Sequence, residues 1–85
     1  MSKQLTSKRF ENIEDARETL NFLSEDLHEV DVFTRAGNRV LALNIIEKII
    51  QDVEAAAVEY PEMEAELLPM TAKIAPYIKQ IIDSK

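Results

Sequence analysis

The sequence predicts an all-α fold, an antiparallel bundle of three helices, and two observations carry that prediction. Apolar residues recur at steps of three and four through three separate segments. These are Ile13, Ala16, Leu20, Leu23, Leu27 and Val30; then Ala42, Ile46, Ile49, Val53, Ala56 and Tyr60; then Met63, Leu67, Met70, Ile74, Tyr77 and Ile81. Such spacing lines one face of a helix that buries a stripe. Between the segments stand the chain's single glycine, Gly37, and the Tyr60-Pro61 step, both punctuation between helices. The pattern implies helices over about 12–31, 38–60 and 62–83, joined up-down-up by short connections.

Residues 1–10 are polar and aperiodic and read as a flexible N-terminal arm, ahead of one domain over 11–85. Asn12 is the expected N-cap of the first helix, because its side chain can accept from the free amides of the first turn. Glu14 and Asp15 follow, where carboxylates meet the positive end of the helix dipole. A connection is expected through Val32-Phe33-Thr34-Arg35-Ala36-Gly37, with Gly37 able to take positive φ without steric cost. Thr34 and Asn38 can each cap the second helix, so its start is open between them.

At about 100° per residue, Leu43, Ile45, Ile46, Ile49, Ile50 and Val53 spread over an arc of roughly 160°. An ordinary surface helix needs only about 100°. The second helix therefore meets more than one neighbour and forms the centre of the bundle. Pro61 suits the first turn of the third helix, where its missing N–H costs nothing. Pro69 and Pro76 fall inside that helix, yet the apolar stripe runs past both and places them on the solvent side. They predict one helix, curved or kinked at the prolines.

Several function classes are disfavoured by composition. With no cysteine there is neither a disulfide nor a thiolate metal site. One glycine cannot build a glycine-rich phosphate loop. No apolar run approaches the roughly 18 residues of a membrane span, and no apolar stretch follows the first lysines as in a secretory signal. A cytoplasmic location is the default expectation. Sixteen acids against ten bases give a net charge of −6, opposite to the basic surface that binds nucleic acid or anionic membranes. The acids are concentrated: eight lie between residues 11 and 31, where Arg17 is the one Lys or Arg.

Few residues invite chemistry. Glu25 and His28 form a Glu-x-x-His, the half-motif that di-iron bundles repeat, and a homodimer would supply two copies. Leu27 faces the core, however, and Glu25 lies about 160° from it, so this pair points away from any buried metal. Three of the four serines, Ser2, Ser7 and Ser84, lie near the chain ends, and three short helices offer little cleft for an acid–base pair. No catalytic residue, metal ligand or cofactor is expected.

The reading that remains is a small acidic protein-interaction module: an adaptor, regulator or inhibitor that is not an enzyme. Phe22 lies about 130° from the stripe of its helix, among Glu18, Glu25 and Glu29. An aromatic ringed by carboxylates is the expected partner-binding site, for a partner with a basic surface. Leu41, Ile45, Leu68 and Ile82 stand at the edges of their stripes and are the expected homodimer interface. Two alternatives are an acidic mimic that blocks a nucleic-acid-binding protein and a metal-binding helical dimer.

Overall fold

The computed structural model describes residues 9–83 and forms the expected antiparallel three-helix bundle. The first arm is built from two helices in line, α1 (Ile13–Asn21) and α2 (Leu23–Arg35). The second is α3 (Arg39–Glu59), and the third is a 3-10 turn, Pro61–Met63, leading into α4 (Glu64–Asp83). All three apolar stripes are buried or half-buried along their whole length. α3 packs against every other element, which is what its broad apolar arc demands.

Local chemistry sets the boundaries. Asn12 caps α1, its Oδ1 accepting from the Asp15 amide at 2.8 Å. Asn38, not Thr34, caps α3, with Oδ1 accepting from the Leu41 amide at 3.3 Å. The first arm runs four residues past the expected Asp31, to Arg35. Phe33 packs against the core and Thr34 is buried, its hydroxyl donating back to the Val30 carbonyl at 2.7 Å. Arg35 reaches Asp31 one turn earlier at 3.0 Å, a cation at the negative end of the dipole. The helix then stops in a Schellman motif. Gly37 donates to Thr34 O at 3.1 Å and Asn38 to Phe33 O at 2.8 Å, with Gly37 at φ 82°.

The break between α1 and α2 is a single residue, Phe22, with φ −83° and ψ 2°. Its amide donates to Thr19 O at 3.3 Å, three residues back rather than four, which tightens the turn. The core divides at the same level. One part joins Leu23, Leu27 and Val30 of α2 to Ala42, Ile46 and Ile49 of α3 and to Ile74 and Ile81 of α4. The other joins Ala16 and Leu20 of α1 to Ala56, Met63 and Leu67. Val53 and Met70 touch both and make the core continuous.

The second part also contains Phe10, which is 3 % exposed, so the boundary of the expected arm shifts. Arg9 and Phe10 belong to the fold, while residues 1–8 lie outside the described residues. Both carboxylate oxygens of Glu59 hold this segment, accepting from the Arg9 amide at 2.9 Å and the Phe10 amide at 3.3 Å. The Arg9 guanidinium donates to Asp52, a buried carboxylate that also takes Lys48 at 3.3 Å. α4 is one continuous helix through Pro69 and Pro76, both exposed. No helix among the described residues is long and apolar enough to cross a membrane.

Candidate interaction surface

Three faces of the bundle carry side chains that folding alone does not explain. The first surrounds Phe22, which is 57 % exposed at the α1–α2 break. Glu18, Glu25 and Glu29 are exposed on the same two helices. His28 is exposed beside Glu25 on the outer side of α2. No three His, Asp or Glu residues among the described ones gather to hold a metal ion.

The four residues expected at a dimer interface divide between two faces. Ile45 packs against the core formed with α2, and Leu41 is exposed one turn before it. On the wheel of α3 these two lie about 140–180° from Ile50. Leu68 and Ile82 are on α4 and flank a different surface, the outer seam between α3 and α4. Leu41 and Ile45 are neighbours one turn apart, whereas Leu68 and Ile82 share a row of α4 but stand 14 residues apart, and only Leu68 lines the seam's depression.

The α3–α4 seam carries a run of apolar side chains outside the core. Two depressions of about 340 and 300 Å³ lie along it and share Val53, Glu54 and Thr71, so they form one groove. α4 contributes Leu68, Thr71, Ala75 and Ile78, and α3 contributes Ile50, Val53 and Ala57. Leu68 is 63 % exposed, and Ile82, 56 % exposed, continues the same α4 row. That row, Glu64-Leu68-Thr71-Ala75-Ile78-Ile82, steps by four and three like the buried stripe beside it. The sequence therefore contained a second stripe on α4. Leu68 and Ile82 mark its apolar ends, while Thr71 and Ala75 in its middle are too small to stand out as an apolar signal.

The arm made by α1 and α2 covers the opposite side of the α3–α4 pair, and there two carboxylates find partners on a facing helix. Arg17 of α1 donates to both oxygens of Glu66 on α4, at 3.1 and 2.9 Å. Those hydrogen bonds hold the Glu66 carboxyl below its ordinary 4.5, and they raise Arg17 in turn. Asp31 of α2 accepts from Gln80 of α4 at 3.0 Å and from Arg35, and both lower its pKa, Gln80 the more. On the groove side, Glu54 and Glu64 stand at the mouth of one depression and pair with no cation among the described residues.

Chemically the groove can bind and offers little else. Its one hydroxyl, Thr71 Oγ1, is spent on the Leu67 carbonyl at 3.1 Å. Its two carboxylates adjoin no nucleophile or imidazole in the lining. A groove with an apolar floor and an ionic rim has the anatomy of a protein interface. No protein-family model matches the sequence, and neither a curated protein nor a solved structure is similar to it.

Proposed function

We propose that this protein is a non-catalytic interaction module that binds another protein through the groove between α3 and α4. The observation that carries the reading is the second stripe of α4. Leu68 and Ile82 are more than half exposed, although the bundle packs a complete apolar stripe one strip further round the same helix. Single exposed apolar residues are ordinary, but a row of them lining a continuous groove marks a surface that another chain covers. Phe22 offers a second, separate contact, on the far side of the first arm.

The test is the double variant Leu68→Gln/Ala75→Gln, which fills the groove with polar side chains of good helix propensity. Both positions are exposed, so its melt should match the parent within about 0.5 kcal/mol. Proteins captured by the parent are then purified and titrated against parent and variant. At least one should bind the parent and lose about tenfold or more with the variant. If every purified candidate binds both forms equally, the groove is not the interface.

A further inference from the structure

We infer that the occupant of the groove is a basic amphipathic helix of the partner, lying along α3 and α4 with Lys or Arg against Glu54 and Glu64. This rests on the groove reading above and adds the occupant's shape and charge. The shape follows from the lining. From Glu64 to Ile82 the α4 row spans 19 residues, or about 27 Å of helix. Its alternating steps of four and three are the seam that a neighbouring helix fills with its own apolar row. Thr71 and Ala75, small and central, let that helix approach closely along the groove.

The charge follows from the contrast between the two sides of α4. On the packed side, Glu66 is matched by Arg17, and Asp31 of the facing helix is met by Gln80 and Arg35. On the groove side, Glu54 of α3 and Glu64 of α4 both line one depression, are exposed, and have no such partner among the described residues. Covering the groove desolvates both carboxylates, which is unfavourable unless the covering surface supplies cations. A second copy of this chain would instead bring a net charge of −6 to the same acids.

The experiment uses two designed helical peptides of about 18 residues with one identical leucine row. One carries Arg at the positions flanking the row, and the other carries Glu. Each is titrated into the full-length protein and into two variants, Glu54→Gln/Glu64→Gln and Glu54→Lys/Glu64→Lys. The basic peptide should bind the parent at least about tenfold more tightly than the acidic one. The Gln variant should narrow that ratio and the Lys variant should invert it, with added salt weakening the preference. Helicity of each variant is checked first, and the Gln variant serves if the Lys variant folds poorly. Equal affinity for both peptides, or binding by neither, overturns the basic helix. So does a light-scattering mass of twice 9.7 kDa that Leu68→Gln/Ala75→Gln returns to the monomer. If neither peptide binds while a purified partner still depends on Leu68 and Ala75, the groove stands and only the basic helix falls.

Discussion

At the residue scale, burial separates side chains that hold the fold from side chains that are free to bind. Ile49 is among the most enclosed, packed between α2 and α4, as its stripe position implies. Ile49→Ala should cost about 2–5 kcal/mol, read as a lowered denaturation midpoint. Tyr60 makes the opposite point. Its ring packs in the second part of the core, but its buried hydroxyl finds no hydrogen-bond partner among the described residues, and burial pushes its pKa above 10.0. Tyr60→Phe should therefore leave the melting temperature unchanged or raise it, because the lost hydroxyl was desolvated without return. Phe22→Ala, at an exposed position, should change stability by less than about 0.5 kcal/mol. Asp52 was not legible in the sequence. It sits in register with Ile49 and Ala56 on the buried arc of α3, but its partner Arg9 is 43 positions away. Periodicity shows which face is buried and not which distant charge meets it.

At the element scale, caps and punctuation were the most legible features, because each rests on chemistry within one turn. Asn12 and Gly37 act as their residue types imply. Gly37→Ala should destabilise by about 1 kcal/mol: nothing crowds an added Cβ, so the cost is that of positive φ alone. The end of the first arm lies beyond its expected place for a physical reason. Val32 to Arg35 look like a β-branched connection, whereas Phe33 and Thr34 extend the buried face and Arg35 closes an i,i+4 pair. The Phe22 break was invisible to periodicity, since the step from Leu20 to Leu23 is one that an unbroken helix also makes. Pro69 and Pro76 were legible, because the stripe of α4 by itself puts both on the solvent side.

At the scale of the whole molecule, the fold was legible and the α3–α4 groove only half so. A bundle follows from stripes, but a groove depends on how two helices sit side by side, which no single wheel contains. Leu68 and Ile82 were visible as surplus apolar residues, and Ile50 as part of the broad α3 arc. What was not visible is that Ile50 and Ala57 line one groove with residues of α4. The arms are also tied by titrating pairs, and these set the response to acid. Glu66 and Asp31 have folded pKa values below their ordinary 4.5 and 3.8, so their contribution is complete above those values and is lost as pH falls through the folded ones. Stability should decline as pH drops below about 4.5, and Glu66→Gln should weaken the protein near pH 6, with the difference from the parent shrinking as acid protonates Glu66. Melts across that range read the effect directly.

Occupation of the α3–α4 groove can be read residue by residue, by amide chemical-shift mapping of the isotope-labelled protein with a purified partner. The shifts should concentrate at Leu68, Thr71, Ala75 and Ile78 of α4 and at Ile50 and Ala57 across the seam. Shifts centred instead on Phe22, Glu18, Glu25 and Glu29, with the seam unmoved, would place the interface on the first arm and rule the groove out.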